Sequence, residues 1–351
     1  MLSDLDLCVA GGVSVCFVAF FVKARINYLR IPKLPECPAA ATPPDCMVIV
    51  PARDEEANIA CVVKSFPHDT VIVVDDDSAD GTAEEARKAG AGVLPAPELL
   101  AQSLGKSNAC AAGAKVLRSR WVLFADADTR FEEGFLDAAV ACAETNGLSF
   151  LSVYLMPEFR TFAEQILVPC AVALYFCGVS PRGDQTSLFN GQCVLTRREA
   201  YEFIGGHTAV ISSMIEDVKL AGVAARHRLK FATVRTRMGR VRFHTDGLWR
   251  GFERNAFRFV MISPWVGVTI VIATIVAALW LPVLILLAIN RQWVAVIALG
   301  LLPWAMLGVW YGNPLRALLA PLGIYGMLFV ILNGFLAAIT GRQIEWKGRA
   351  L

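Results

Sequence analysis

The sequence predicts an α/β domain with a mostly parallel sheet, held between membrane-spanning helices. Three observations lead there. From residue 46 onward, short apolar strands alternate with helical stretches, the pattern of right-handed βαβ units. Almost all the acids of the 351-residue chain fall between Asp54 and Glu253. Long uncharged runs lie near both ends, and a chain that is 56% hydrophobic with mean hydropathy +0.51 is too apolar for an ordinary soluble enzyme.

These bounds exclude several classes. A net charge of +2 gives no global electrostatic case for nucleic acid. The 10 cysteines form no CxxC pair and the 4 histidines no HExxH pattern. The cysteines read as small buried hydrophobes in a reducing compartment, with neither a zinc site nor a disulfide framework. The charge pattern gives the domain plan: an N-terminal transmembrane helix over 1–24, a linker over 25–45, a catalytic domain over 46–258, C-terminal membrane segments over 259–341 and a basic tail over 342–351.

Residues 7–22 carry no charge and, extended by Leu5 and a snorkelling Lys23, reach the length of a span. A cleaved signal peptide would want a basic start, where this chain has Asp4 and Asp6. Lys23, Arg25, Arg30 and Lys33 follow, so the positive-inside rule puts the next domain in the cytoplasm of a bacterial-type plasma membrane. The proline-rich stretch 32–44 is a stiff linker.

A strand then ends at Pro51, and a polar loop (Ala-Arg53-Asp-Glu55) opens a helix near 55–65. Thr70-Val-Ile-Val-Val74 is a second buried strand, ending in Asp75-Asp76-Asp77 before a helix around 83–89. Three acids in succession repel one another unless they are solvated, cap the next helix, or face a nucleoside hydroxyl or a metal. Gly105-Lys106 starts a helix reaching about Arg118; it can bind phosphate through backbone N–H groups and the ammonium, or be a surface lysine. Trp121-Val-Leu-Phe-Ala125 is a third strand, closed by Asp126-Ala-Asp128. Ligands of open α/β sheets sit at the carboxyl ends of the strands, where two such aspartates can hold a divalent cation with a diphosphate on its far side. The bland alternative is a helix N-terminus that favours acids.

Val50-Pro-Ala-Arg-Asp-Glu-Glu56, Val74-Asp-Asp-Asp-Ser-Ala-Asp-Gly-Thr82, Gly105-Lys106 and Phe124-Ala-Asp-Ala-Asp128 resemble successive motifs of the family 2 glycosyltransferases. The stretches from Asn190-Gly191-Gln192 to Gly-Gly-His207, and Ile215-Glu-Asp-Val-Lys-Leu-Ala221, resemble the acceptor-side half of the same family. The resemblance covers most of 47–260. It implies a GT-A fold, a Rossmann-like nucleotide-binding domain. It also implies donor binding by Pro51, Arg53, Glu55, Asp75, Asp76, Lys106 and Asp126. Asp128 and Asp126 would hold Mg2+ or Mn2+, and Asp217 would be the catalytic base. Asp77 stands where the family motif has glycine, as an added site group or a replaced turn residue.

The acceptor side is assigned Asn190, Gly191, Gln192, Glu216, Trp249 and Arg254, with Glu216 expected to point elsewhere on its helix than Asp217. Acids are ordinary in a first turn, but an attacking hydroxyl needs a carboxylate within reach to take its proton. Residues 162–179 are apolar with Pro169 inside, and read equally as a core helix or as an element at the membrane interface. Residues 229–243 are basic, as a strand with one solvated face or a surface for lipid headgroups.

The stretch 247–255 lacks the Gln-x-x-Arg-Trp of processive polysaccharide synthases and resembles instead relatives that glycosylate membrane lipids, isoprenoid (carotenoid- or hopanoid-type) lipids and ceramide among them. The implied reaction is inverting transfer from a nucleotide sugar, a UDP-sugar foremost, to a lipid hydroxyl at the cytoplasmic face of the bilayer. A polymer synthase-exporter and a non-catalytic nucleotide-binding membrane protein are the alternatives. Beyond residue 259, the stretches 259–290, 292–315 and 317–340 can each span once, which would put the C-terminus outside. Arg342, Lys347 and Arg349 prefer the cytoplasm, and with Pro314 and Pro321 around Arg316 they lean toward a re-entrant piece, two full spans and a cytoplasmic tail.

Overall fold

A computed structural model describes residues 4–36, 43–99, 103–181, 188–242, 251–252, 264–340, 345–346 and 349–350. The chain splits into two interleaved compact units. One comprises Ile31–Glu158, Asp184–Phe243 and Glu345–Leu351; the other comprises Met1–Arg30, Phe159–Gly183 and His244–Ile344.

The first unit is built on an eight-stranded sheet in the order β3-β2-β1-β4-β7-β6-β8-β5. Its strands are β1 (Cys46–Ala52), β2 (Val71–Asp75), β3 (Gly92–Pro95), β4 (Trp121–Ala125), β5 (Thr129–Phe131), β6 (Phe150–Glu158), β7 (Cys193–Arg197) and β8 (Phe231–Arg242). The pairs β1–β2, β1–β4, β2–β3 and β6–β8 are parallel; β4–β7, β6–β7 and β5–β8 are antiparallel. The sheet is therefore mixed and mostly parallel.

Strands covered on both faces read as continuous apolar runs. Val48, Val50, Val73 and Leu123 enter one core with Ile59 and Val62 of α2 (Glu56–Val63), Ala86 of α3 (Thr82–Lys88) and Leu136 of α5 (Phe135–Thr145). The alternate residues Ile49, Val74 and Phe124 enter a second core with Ala109 and Cys110 of α4 (Gly105–Val116) and Leu220 of α8 (Glu216–Arg226). The short α7 (Arg198–Phe203) follows β7, and its Tyr201 joins the second core. The chain runs outward from β1 to β2 and β3, then returns to the other side of β1 as β4. That reversal opens a crevice at the carboxyl ends of β1 and β4, where ligands of such sheets bind.

The second unit is made of apolar helices: α1 (Asp4–Arg30), α6 (Phe162–Gly178), α9 (Pro264–Ile289), α10 (Trp293–Tyr311) and α11 (Ala320–Thr340). Among the described residues, four segments are long and apolar enough to cross a membrane: Asp6–Arg30, Trp265–Ile289, Trp293–Tyr311 and Arg316–Gly334. Three of these follow the sheet domain in sequence. The prolines flanking Arg316 border only a 3-10 turn, Arg316–Leu319, that leads into the 21-residue α11.

The apolar stretch after β6 forms α6 and packs with these helices, through an Asn27 Nδ2 bond to Phe176 O (2.8 Å) and a Tyr311 hydroxyl bond to Ile166 O (2.7 Å). Its one buried acid, Glu164, closes a capping box with Thr161. The tail pairs as a two-stranded piece, β9 (Glu345–Trp346) against β10 (Arg349–Ala350).

Candidate active site

Parallel pairing of β1 with β2 sets Ala52 opposite Asp75, and the Asp76 N–H donates to Ala52 O at 2.8 Å. Pro51, Asp75 and the buried Asp76 thus share one sheet edge. Arg53 Nη1 donates to the carbonyls of Asp76 (2.6 Å) and Asp77 (3.0 Å). Ser78 donates through its hydroxyl and its N–H to Asp75 Oδ1. Glu55 accepts from Asn58 Nδ2 at 2.9 Å, and its N–H donates to Thr82 Oγ1 at 2.7 Å. Arg53 and Glu55 therefore tie the loops after β1 and β2 together, while Asp75 braces its own loop through Ser78. Asp77 has φ +60° and a side chain 88% exposed, 3.6 Å from Arg53. That φ lies in the left-handed region, which aspartate tolerates.

The turn from β4 to β5 carries Asp126 and Asp128. Thr129 bonds back to Asp126 O through both its N–H and its hydroxyl, Asp126 N–H donates to Gln192 O (3.0 Å), and Arg242 N–H donates to Asp128 O (2.8 Å). Lys106, second residue of α4, places Nζ 2.6 Å from Asp126 Oδ1, 3.1 Å from Gly191 O and 3.5 Å from Glu216 Oε1. Burial works against the ammonium, but the charges of Asp126 and Glu216 outweigh it and hold Lys106 well above the usual lysine range. Burial likewise pushes up the thiol of the neighbouring Cys110, leaving it protonated and unreactive.

Asp126 and Asp128 offer hard oxygen donors. Among the described residues no group of three or more His, Cys, Asp and Glu could hold a metal alone. Two carboxylates with other positions filled by phosphate oxygens and water suit Mg2+ or Mn2+, which seldom sits in an all-protein cage. The donor set fits a cation completed by a diphosphate.

Asn190 and Gln192 lock the loop before β7: Asn190 Nδ2 donates to Gln192 Oε1 and Gln192 N–H to Asn190 Oδ1, both at 3.0 Å. The loop thereby presents Gly191, whose N–H donates to Asp217 Oδ2 at 2.9 Å. Val218 N–H donates to Asp217 Oδ1 at 2.8 Å. The carboxylate lies in the first turn of α8, where the helix dipole favours its charge. Glu216 does not point elsewhere: its longer side chain reaches Lys106, and both acids are buried.

A cavity of about 330 Å³, counting its open mouth, collects these groups. Pro51, Lys106, Asp126, Gly191, Glu216 and Asp217 line it; Arg53, Glu55, Asp75, Asp76, Asp128, Asn190 and Gln192 are not among its lining residues. Trp249 and Arg254 lie outside the described residues. One lining residue, His207, ends the stretch that resembles the acceptor-side half but is not among the site residues that the resemblance implies. It is buried, with Nδ1 2.8 Å from the Tyr201 hydroxyl. The only sequence signal for it was the Gly-Gly pair before it. The arrangement sets a carboxylate held by two N–H groups near a lysine-neutralised acid, at the carboxyl ends of β1 and β4, and can bind a phosphorylated ligand and accept a proton.

Residues 47–205 match Glycosyl transferase family 2. The chain is 29% identical over 194 residues to the 4,4'-diaponeurosporenoate glycosyltransferase of Staphylococcus haemolyticus (strain JCSC1435), covering 52% of each chain. It is also 29% identical over 185 residues to the protein of that name from Staphylococcus aureus (strain USA300), covering 49% of each. The matches thus span about half the length of these relatives. In structure it resembles a mannosyltransferase from Pyrobaculum calidifontis in complex with GDP-Man and Mn2+, with TM-score 0.50 and 17% identity over 89% of this chain and 99% of that one. The shared architecture is the GT-A fold.

Proposed function

We propose that this chain, whose residues 47–205 match Glycosyl transferase family 2, moves a sugar from a nucleotide sugar to the hydroxyl of a membrane lipid. The observation that carries this reading is the pair of facing groups in one cavity: Asp217, held by Gly191, and Lys106, held by Asp126. The nucleoside lies along the ends of β1 and β2, against Pro51 and Asp76. The diphosphate lies at Lys106, Asp126 and Asp128. The sugar then occupies the space between the diphosphate and Asp217, and the acceptor enters beyond it.

Asp217 takes the acceptor proton while the hydroxyl attacks the anomeric carbon from the side opposite the leaving nucleoside diphosphate, and the centre inverts. Lys106 is placed to offset the negative charge growing on the leaving group. A divalent ion held by Asp126 and Asp128 supplies further neutralisation when bound. The four apolar segments support a lipid acceptor, because they would keep the domain at a bilayer surface. The relatives' names, 4,4'-diaponeurosporenoate glycosyltransferases, support a carotenoid-type lipid as its class.

A second reading follows from the same name. An acceptor ending in "-oate" is a carboxylate, already ionised at neutral pH. Its transfer would give a sugar ester and would need no base at Asp217. Purified full-length chain in nanodiscs, given UDP-glucose or GDP-mannose, Mn2+ and either a long-chain isoprenoid alcohol or its acid, tests both by mass spectrometry. One sugar on the alcohol supports the first reading, and one sugar on the acid alone supports the second. A ladder of products, or no product from either, would contradict both.

A further inference from the structure

We propose that His207 is a specificity-determining residue, a neutral imidazole that offers Nε2–H to a hydroxyl of the donor sugar. This rests on the donor placement just given. It starts from a group that placement leaves unused: a buried histidine on the wall of the cavity shared by Lys106, Glu216 and Asp217.

The hydrogen bonds fix the tautomer. The buried Tyr201 hydroxyl accepts from the His207 backbone N–H at 2.9 Å. Its own proton has no other acceptor among the described residues than Nδ1 of the same histidine, at 2.8 Å. A buried phenol leaves its proton unpaired only at a cost. Nδ1 is therefore the acceptor, and the proton of the neutral ring sits on Nε2. The ring stays neutral: burial pushes its pKa down to about 3, the Lys106 charge adds to this, and Asp217 opposes it. Phe124 stands edge-on to the imidazole with centroids 4.7 Å apart and fixes its plane.

The backbone is shaped for this contact. Gly205 and Gly206 have φ +79° and +50°, and a Cβ on Gly206 would come within 2.3 Å of the Tyr201 ring. With Nδ1 turned to Tyr201, the ring edge left for the cavity carries Nε2. A purely packing role would be met by phenylalanine, with no phenol to set a tautomer. Between the diphosphate groups and Asp217 lies the sugar, whose hydroxyls can accept one hydrogen bond. A neutral donor suits this place, since a cation there would lower the basicity of Asp217.

The test is titration calorimetry on the full-length chain in nanodiscs with Mn2+, using UDP-glucose against UDP and GDP-mannose against GDP. The quantity read is the ratio of nucleotide-sugar to free-nucleotide affinity. His207→Phe should lower that ratio about tenfold, and His207→Gln, which carries a donor near the Nε2 position, should restore it to within about twofold. Free-nucleotide binding reports that each variant is folded. An unchanged ratio in His207→Phe, or an equal fall in both variants, would show a packing residue and overturn the proposal while leaving the donor reading standing. If the unsubstituted chain bound none of the four ligands, the donor reading itself would fail and this inference with it.

Discussion

The backbone N–H of Gly191 donates to Asp217 Oδ2 at 2.9 Å, and a Cβ built on Gly191 would stand 3.2 Å from that same oxygen. The bond therefore needs both an N–H and the absence of a side chain. In Gly191→Ala the carboxylate must shift by a few tenths of an ångström. Transfer should slow about tenfold, since small displacements of a positioned group are costly. Donor affinity should hold, because Gly191 meets Lys106 only through its carbonyl. Steady-state rates beside nucleotide titration check this; a rate equal to that of the parent would show that the bond does not position the base.

Lys106 shares its ammonium between Asp126 and Glu216. Lys106→Met should weaken nucleoside diphosphate binding about tenfold, and Glu216→Gln less, by loosening the lysine. The double variant should show coupling of about 1 kcal/mol, the scale found for contacting residues. Strictly additive effects would mean that Glu216 does not hold Lys106 for the ligand.

The carboxylates of the β4–β5 turn give a metal prediction. Chelation of divalent ions should weaken UDP or GDP binding to the parent chain. Asp128→Ala should bind weakly whether or not chelator is added, so that the two losses do not sum. Equal nucleotide affinity with and without Mn2+ in the parent would remove this turn from metal binding.

His207 makes a prediction about acid stability. Its pKa falls from an ordinary 6.5 to about 3 on folding. Between those values the unfolded chain binds a proton that the folded chain does not, so stability rises with pH. The contribution is fully present above about 6.5 and is lost as pH falls toward 3. The thermal midpoint of the solubilised chain should drop between pH 7 and pH 4, and His207→Gln should flatten that part of the curve. Parallel curves for the two proteins would show that His207 is not buried neutral.

Much of this was legible because parallel strands buried on both faces write themselves as apolar runs. Thr70-Val-Ile-Val-Val74 and Trp121-Val-Leu-Phe-Ala125 fell where β2 and β4 stand, each with acids at its carboxyl end. The antiparallel half was less legible. Nothing local in Phe150–Glu158 says that it pairs with both β7 and β8. Adjacent helical residues point about 100° apart mid-helix, so the sequence implies that Glu216 faces away from Asp217; at the first turn its longer side chain spans that difference to meet Lys106. The place of His207 is not legible locally, because it depends on Tyr201, six residues earlier, which meets it across two left-handed glycines.

The central claim is that Asp217 deprotonates the acceptor in a glycosyl transfer. The direct measurement is turnover of Asp217→Asn with saturating nucleotide sugar and a hydroxyl-bearing lipid, alongside calorimetry of the same variant with UDP or GDP. The expected result is a rate lowered about a thousandfold or more with nucleotide binding intact. Turnover equal to that of the parent chain would contradict the claim, and would leave Asp217 as a residue that only braces Gly191.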